Sequence, residues 1–369
     1  MRIVHLTSAH PRNDTRIFIK ECRSLAAAGH DVSLVVADGK GDELRDGVRI
    51  VDAGKLSGRL NRMLRTTRRV YDKAVALDAE VYHFHDPELI PAGLKLKRLG
   101  KKVVFDSHED VPQQILAKPY LVPSLLRALS WGFSSYQEYA VRRFDGVVAA
   151  TPFIRDKFLR IHPNTVDVNN FPLLGEFESV LPWEKKSAEV CYVGGIGAIR
   201  GIRELVRACE LLSSPARLNV AGSFSEAALE GEVRAYPGWT RVNECGYLGR
   251  EGVRDVMARS LAGLVTLHPV ANYLDALPVK MFEYMAAGIP VIASDFPLWR
   301  GIIDDADCGI CVDPLDPAAI AAAIDYLVGH PEIARKQGQN GRAAVLGKYN
   351  WPAQEAKLIN FYRAMSNEK

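Results

Sequence analysis

The chain has 369 residues, of which 48% are hydrophobic and 25% charged, a globular composition with room for two ordinary domains. It has no apolar run of about eighteen residues, so we expect no membrane-spanning helix. The amino terminus enters a strand-like run at once, and we expect no signal peptide. Six cysteines are scattered. Cys308 and Cys311 lack a second pair, which favours reduced thiols over a zinc or redox site.

The net charge of +3 hides an asymmetry between the two halves. Residues 1–170 contain 27 Lys and Arg against 20 Asp and Glu, and the remainder contains 20 against 24, which gives +7 and −4. A basic half favours an anionic partner, either a membrane surface or a polyanion.

Strand-like apolar runs alternate with helical patterns almost throughout the chain, which predicts parallel βαβ units. The runs are 3–6, 32–37, 81–84, 103–105 and 146–150, and then 190–193, 218–221, 262–267 and 290–293. The rhythm predicts two α/β domains in series, with a boundary near 169–172. Ligands of such sheets bind beyond the carboxyl ends of the strands, so we expect the site in a cleft faced by both domains.

The most informative segment runs from Asp275 to Ile292. Asp275 and Glu283 stand eight residues apart, and Pro278 between them marks a helix start. Gly288 would end that helix before a buried strand. A carboxylate beside free helix N–H groups suits a ligand with hydroxyls at one end and phosphates at the other, as in nucleotide sugars.

This segment resembles the E-x7-E region of the retaining glycosyltransferases of family 4, which have the GT-B fold of two Rossmann-like domains facing a cleft. Asp275 stands where that family usually has Glu. The resemblance implies that Glu283 holds the ribose and Asp275 the transferred hexose, with backbone amides near Ala276 and Leu277 facing the diphosphate. It also implies an acceptor-side domain at 1–170 and a nucleotide-sugar domain at 171–350. A last helix, 351–366, is expected to pack back on the first domain.

A glycine-rich loop, 193–202, follows a predicted strand and leads into a helix, a position that suits phosphate binding. Gly194 and Gly195 would let the backbone approach the phosphates, and Arg200 would add a charge-assisted hydrogen bond. The family usually has an Arg where the glycines stand, so Lys280 is the candidate to supply the missing contact. The alternative for Lys280 is a surface ion pair with Glu283. Tyr247 and Leu248 lie in a turn that resembles the nucleobase site, although a simple strand end explains it nearly as well.

Three polar loops follow strands of the first half. His108, among Asp106, Glu109 and Asp110, matches a catalytically important His of the family, and the alternative is a solvated loop histidine. His83 and His85 alternate on one strand and point the same way, with Asp86 after them. A metal site there is the less favoured reading, because no further ligand is predictable.

The third polar loop follows the first predicted strand. Asp14 either caps the next helix or contacts the acceptor, and Arg16 is a further candidate on the acceptor side. The acceptor-side candidates are therefore Asp14, Arg16, His85, Asp86, Asp106 and Glu109.

The implied reaction transfers a hexose from a UDP- or GDP-linked donor to a hydroxyl, with retention of configuration. Arg200, Lys280 and helix N-termini would stabilise the leaving diphosphate. No carboxylate is an obvious covalent nucleophile, which favours front-face attack. The resemblance implies no cofactor and no metal.

Residues 55–73 predict an amphipathic helix with a basic face, and 120–133 is a second apolar and aromatic stretch. Both resemble segments that lie on anionic membranes. An ordinary core-packing helix is the alternative for 55–73. Attachment to a membrane would favour a lipid-linked saccharide acceptor. We therefore expect a cytoplasmic protein on the inner face of the membrane that acts in cell-surface polysaccharide synthesis.

Three other functions fit the sequence less well. A GT-B sugar-nucleotide 2-epimerase would need no acceptor and no membrane-like helices. A non-catalytic nucleotide-sugar-binding partner of a polysaccharide assembly complex would not need His108, Asp275 and Glu283 together. A dinucleotide oxidoreductase is disfavoured because no G-x-G-x-x-G follows the first strand. Nucleic acid is not expected as a partner, because the basic segment has only Tyr71 for stacking.

Overall fold

The computed structural model describes residues 1–116, 122–177 and 181–367, and the chain divides into two compact units. The first unit comprises Met1–Asn170 and Pro352–Lys369, and the second comprises Phe171–Trp351. Each is an α/β unit around one largely parallel sheet, so the predicted fold class is confirmed.

The first unit has eight strands in the order β3-β4-β2-β1-β5-β6-β7-β8, with only β3 antiparallel to its neighbour. They are Arg2–Leu6 (β1), Asp31–Val36 (β2), Glu43–Arg45 (β3), Val48–Asp52 (β4), Val81–Phe84 (β5), Lys102–Ser107 (β6), Gly146–Ala149 (β7) and Thr165–Asp167 (β8). The α-helices are Arg23–Ala27 (α1), Arg59–Asn61 (α2), Thr67–Ala76 (α3), Ile90–Arg98 (α4), Val111–Leu116 (α5), Pro123–Val141 (α6) and Pro152–Leu159 (α7). Two π-helical segments, Thr15–Cys22 and Arg62–Thr66, and a 3-10 turn, Pro87–Leu89, complete the unit among its described residues.

The described part of the second unit has six parallel strands in the order β11-β10-β9-β12-β13-β14. They are Glu189–Val193 (β9), Arg217–Ala221 (β10), Val242–Gly246 (β11), Ala262–Val265 (β12), Val291–Ser294 (β13) and Gly309–Val312 (β14). Its α-helices are Ile202–Leu211 (α8), Ala227–Arg234 (α9), Arg250–Arg259 (α10), Ala271–Leu274 (α11), Val279–Ala286 (α12), Pro297–Ala306 (α13), Pro317–Gly329 (α14) and Pro331–Gly347 (α15). Short 3-10 turns occupy Trp183–Lys185, Ala198–Arg200 and Pro237–Arg241.

The last helix, Trp351–Asn367 (α16), belongs to the first unit from Pro352 onward. A Cβ atom at Gly146 would lie 2.5 Å from the Phe361 ring, so strand β7 and α16 need a glycine to approach this closely. The Tyr362 hydroxyl lies 2.7 Å from Nδ1 of His83 on β5. The helix therefore covers one face of the first sheet.

The strands with the longest apolar runs match the predicted ones, whereas β3, β4, β8, β11 and β14 are not among the predicted runs. These five strands have three to five residues each, and β3 is an edge strand that alternates between half-buried and exposed residues. Their pairing partners come from elsewhere in the chain, so their own residues carry little periodic signal.

Most of the segment 55–73 belongs to one continuous helical run that includes the π-helical Arg62–Thr66 and ends at Ala76, but the run lacks the single apolar face that the sequence pattern predicts. Helical structure begins only at Arg59, and Leu60 and Leu64 are 75% and 71% exposed while Val70 is fully buried. The apolar side chains that the pattern groups on one face are therefore divided, with some buried in the core and others exposed to solvent. Of the second stretch, 120–133, Tyr120 and Leu121 lie outside the described residues, and α6 begins at Pro123. None of the described helices is both long enough and apolar enough to cross a bilayer.

Helix α12 packs directly on β12, because Gly263 has no side chain. A Cβ atom there would lie 2.2 Å from the ring of Tyr284. The Tyr284 hydroxyl in turn accepts a hydrogen bond from the backbone N–H of Val193, at the end of β9. This packing sets the height of α12, and hence of Glu283, over the strand ends.

We expect Gly263→Ala to destabilise the protein by roughly 1–3 kcal/mol, because the core cannot accept another methyl group there. Gly231→Ala is the matched control, since Gly231 lies in α9 with no atom within 4 Å of its Cβ position. The control should stabilise by about 0.5–1 kcal/mol through the higher helix propensity of alanine. Chemical denaturation measures both, and equal midpoints would contradict the close packing of α12 on β12.

Candidate active site

The glycine-rich loop follows β9 and leads through a 3-10 turn into α8. Gly194 has φ +123°, a backbone conformation that favours glycine. A Cβ atom at Gly195 would lie 2.9 Å from the Arg200 guanidinium, which donates a 3.2 Å hydrogen bond to the Gly195 carbonyl. The loop and the arginine therefore lie together at the carboxyl end of the sheet, where α/β proteins bind ligands.

Lys280 lies under this loop, on the first turn of α12. Its Nζ is 3.7 Å from the centroid of the Tyr192 ring, and a Cβ at Gly194 would come within 3.3 Å of it. The Nζ atom is shielded from solvent, although the residue as a whole is half-buried, and it has no hydrogen-bond partner among the described residues. Burial and, to a smaller extent, the Arg200 charge lower the pKa of Lys280 to about 7, while the Glu283 charge opposes the shift.

Lys280 is therefore not in the surface ion pair that the sequence left open. Glu283, one turn further along α12, instead accepts a 2.7 Å hydrogen bond from the Arg250 guanidinium. Arg250 also pairs with Glu176. Two acidic groups thus share Arg250, and the Glu283 carboxylate is held at the N-terminal end of α10 with only 8% of the residue exposed.

The other predicted donor-site residues lie on both sides of α12. Asp275 ends α11 and is half-buried. The carbonyl of Ala276 accepts a 2.8 Å hydrogen bond from Trp299, which fixes the backbone before the α12 N-terminus, and Leu277 packs on the core of the unit. Beyond β11, Tyr247 is 84% exposed while Leu248 packs on the same core.

In the first unit, His108 follows β6 and has a side chain that is 20% exposed. Its Nε2 lies 3.3 Å from Oδ2 of Asp106 and 3.2 Å from Nδ1 of His85. The sequence placed three carboxylates around this imidazole, but the structure brings one. Glu109 is exposed and bonded to Gln114, and Asp110 accepts a hydrogen bond from Lys157, because the chain turns away into α5 directly after His108.

Asp106 is fully buried and binds Arg16 through three hydrogen bonds of 2.9–3.2 Å. Burial by itself would raise the pKa of Asp106, but the positive charge of Arg16 holds it well below the usual range. Arg16 also donates a 2.6 Å hydrogen bond to the Val168 carbonyl. Arg16 and Asp106, which the sequence suggested as acceptor-side residues, are therefore buried. They position His85 and His108 from beneath the surface.

Three histidines lie side by side on the same face of the sheet as Asp106. His5 on β1 is the register partner of His83 on β5, and His85 follows two residues later. Their rings stack at centroid distances of 4.6–5.2 Å. Burial lowers the pKa of His85 to about 4 and the pKa values of His5 and His83 well below the ordinary range. Glu21, from the π-helical segment, closes the group, and its pKa is raised by burial and by Asp106.

Two sets among the described residues have donor atoms close enough to hold a metal ion: His5, Glu21, His83 and His85, and separately His85, Asp106 and His108. Sequence inspection missed His5 and Glu21. A signal was present for His5, since it interrupts the apolar run of β1 at the register of His83.

Asp14 caps the Thr15–Cys22 segment, accepting hydrogen bonds from the backbone N–H groups of Arg16 and Ile17. This is the first of the two roles that its sequence position allowed. Asp86 accepts hydrogen bonds from the Thr7 hydroxyl and the Ser8 amide and lies 3.1 Å from Nδ1 of His10. Burial alone would lower the pKa of His10, but its hydrogen bond to Asp86 raises it.

Within the second unit the structure thus gathers Gly194, Gly195, Arg200, Lys280 and Glu283, and it adds Arg250, which the sequence analysis did not single out. Arg250 follows closely after Tyr247 and Leu248, but nothing in the sequence pairs it with an acid on another helix. Within the first unit His85, Asp106 and His108 come together, whereas Glu109 is apart.

The chain matches two family models, one described as "Glycosyltransferase Family 4" over residues 16–169 and one as "Glycosyl transferases group 1" over residues 176–344. It is 22% identical to a glycogen synthase of Mycobacterium tuberculosis, over 92% of this chain and 88% of that protein. Among solved structures it is similar to a sucrose-phosphate synthase from Thermosynechococcus elongatus, with a TM-score of 0.81, 20% identity and full coverage of both chains. It is also similar to Anabaena HepE in complex with UDP-glucose, with a TM-score of 0.75, 12% identity and coverage of 99% and 100%.

We expect Lys280→Met to stabilise the ligand-free protein by roughly 1–3 kcal/mol at pH 7, because it removes a buried amine without a hydrogen-bond acceptor. The folded-state pKa of about 7 is below the ordinary lysine value, so the unfolded chain binds more protons above pH 7 and wild-type stability rises with pH in that window. The gain from the substitution should therefore be largest at and below pH 7 and decline toward about pH 10.

The control is Lys185→Met, at an exposed lysine of the same unit, which should change stability little at any pH. Denaturant midpoints at several pH values measure both variants. A destabilised Lys280→Met protein would show that the amine is well solvated or paired in the free protein.

Proposed function

We propose that this chain, which belongs to the family 4 glycosyltransferases, moves a hexose from a nucleoside diphosphate sugar to a hydroxyl of a lipid-linked glycan acceptor in cell-surface polysaccharide synthesis. Its fold is GT-B and its class of reaction is glycosyl transfer.

The observation that carries the proposal is the unpartnered Lys280 amine beneath a glycine loop, next to Arg200 and one turn from Glu283. Two cations at the carboxyl end of a sheet, one of them on the first turn of α12, suit a diphosphate. A diphosphate would give the Lys280 amine the acceptor that it lacks in the free protein. The Glu283 carboxylate, already oriented by Arg250, suits the two ribose hydroxyls.

In the proposed reaction the bond between the sugar C1 and the diphosphate oxygen breaks, and a bond from C1 to the acceptor oxygen forms on the same face. The acceptor proton passes to the departing diphosphate. Arg200 and Lys280 would stabilise the negative charge that develops on the leaving group, and Asp275 would hold the hexose. His108 would place its imidazole beside the donor sugar, as its match to the family implies, and Asp106 and His85 would orient that ring. No metal or cofactor takes part in this scheme.

UDP is the first donor nucleotide to test, because the similar Anabaena protein was crystallised with UDP-glucose. Calorimetric titration of UDP and GDP, without added metal, should show tight binding of one of them. Glu283→Ala should weaken that binding by about tenfold or more, because a buried charged hydrogen-bond partner of the ribose is lost. Glu251→Ala, at an exposed acid of α10, is the matched control. If neither nucleotide binds, the result would favour the alternative that the protein is a non-catalytic partner of a polysaccharide assembly complex.

We expect His108→Ala to reduce turnover by about 100-fold or more while donor affinity changes less than about threefold, since a group acting on the reacting sugar contributes mainly to the transition state. His162→Ala is the control, at a partly buried histidine of the same unit that bonds the Phe144 carbonyl. Turnover is measured as release of nucleoside diphosphate in the presence of acceptor. Near-normal turnover would remove His108 from the chemistry.

Membrane attachment is supported by apolar side chains that face solvent beside basic ones. Leu60, Met63 and Leu64 are exposed near Arg59 and Arg65, and on α6 Trp131 is 75% exposed. Trp131 and Phe153 also line a cavity of about 640 Å³, together with Arg127, Lys157 and Arg160. Aromatic and basic side chains around one cavity suit an acceptor with an apolar tail and a phosphate.

A triple Ser substitution of Leu60, Met63 and Leu64 should lower affinity for phosphatidylglycerol vesicles by at least about tenfold, because three apolar side chains no longer enter the interface. The control replaces Leu44 and Leu99, which are also exposed in the first unit but lie elsewhere. Sedimentation with vesicles gives the bound fraction. Phosphatidylcholine vesicles should bind the wild type and both variants weakly. Unchanged binding of the triple variant would assign these residues to another role.

A further inference from the structure

We propose that His5, Glu21, His83 and His85 form a structural zinc site inside the first unit. One donor atom from each residue lies within 4.8 Å of the others, and all four residues are fully or almost fully buried. This inference departs from the expectation that the chain holds no metal, and it does not depend on the proposed sugar transfer.

The spacing of the donor atoms fits a tetrahedral ion. His5 Nδ1 is 2.9 Å from His85 Nε2, and the Glu21 carboxylate is 3.9 Å and 4.0 Å from these two nitrogens. Zinc bonds of about 2.0–2.1 Å at tetrahedral angles place neighbouring donors about 3.3 Å apart, within the range of these separations. Small side-chain adjustments would therefore bring the three atoms onto one ion.

The second observation is that several of these buried atoms have no hydrogen-bond partner among the described residues. They are both carboxylate oxygens of Glu21 and Nε2 of His83. The Arg16 guanidinium lies 3.1 Å from Glu21 without forming an aligned hydrogen bond. Buried polar groups are nearly always paired, so a cluster of unpaired donors on one face calls for a ligand.

The neighbours of the cluster are arranged like the outer shell of a zinc site. Nδ1 of His85 faces Asp106 at 3.1 Å, and Nδ1 of His83 faces the Tyr362 hydroxyl at 2.7 Å. A ligating histidine usually donates its other N–H to a carboxylate or a similar acceptor, which directs the remaining nitrogen lone pair to the metal. Both rings thus have an orienting partner on the side away from the ion.

The local charge also favours a cation. The carboxyl groups of Asp106 and Glu21 face one guanidinium, that of Arg16, so a bound cation would balance the second negative charge once Glu21 ionises. Three imidazoles and one carboxylate are donors that suit zinc. The other possible set, His85 with Asp106 and His108, would have to take Asp106 from its hydrogen bonds to Arg16, so the buried set is preferred. Zinc there would join β1, β5 and the Thr15–Cys22 segment.

The test uses the full chain with a tag that contains no histidine. The protein is loaded with zinc sulfate, passed over a desalting column with a weak chelator, and analysed by elemental mass spectrometry. We expect about one zinc per chain in the wild type and at least about a tenfold lower content in Glu21→Gln and His83→Gln. His162→Gln should retain the metal. Zinc should also raise the melting temperature of the wild type but not that of Glu21→Gln.

His108→Gln separates the two possible sets and should retain its zinc. Loss of zinc from His108→Gln with retention in Glu21→Gln would overturn the proposal in favour of the other set. If the cluster variants fail to fold, as judged by circular dichroism, the wild type decides alone. A wild-type chain with substantially less than one zinc, or one whose melting temperature zinc leaves unchanged, would show that the cluster is a metal-free polar core.

Discussion

The ion pair between Arg16 and Asp106 organises the polar interior of the first unit. Both groups are buried, and such a pair is tolerated only when hydrogen bonds satisfy the remaining donors and acceptors. Here the Val168 carbonyl takes one guanidinium N–H, while His85 and His108 approach the carboxylate. The position of His108 at the surface therefore depends on a pair that is itself inaccessible to substrate. A change at Arg16 would act on His108 without touching a ligand.

The second unit has the reverse arrangement, with a buried cation that lacks a hydrogen-bond acceptor. Lys280 is held between the Tyr192 ring and the glycine loop, and its pKa is lowered to about 7, chiefly by burial. The free protein pays for this with lost solvation of the amine. Functional sites commonly contain such groups, because the ligand supplies the missing partner. Lys280, which lacks a hydrogen-bond acceptor, suits a phosphate. Glu283, which Arg250 already holds in place, suits a pair of hydroxyl donors.

The residues of the buried polar cluster in the first unit differ in whether the sequence alone can identify them. In the first unit, residues on strands β1, β5 and β6 share a face because parallel register aligns every second residue. His83 and His85 could be recognised as a pair from their spacing alone. Glu21 could not, because a π-helical segment, rather than a regular α-helix, sets which of its residues face the sheet.

The sequence by itself determined the two α/β units, the long apolar strands and the helix that carries Lys280 and Glu283, because these depend on local periodicity and on proline and glycine signals. Tertiary structure alone decided the strands β3, β4, β8, β11 and β14, the partner of Glu283 and the burial of Arg16. It also separated Glu109 from His108 and left Leu60 and Leu64 in solvent. Each of these depends on a contact between residues distant along the chain, and such contacts leave no periodic trace in the segments that make them.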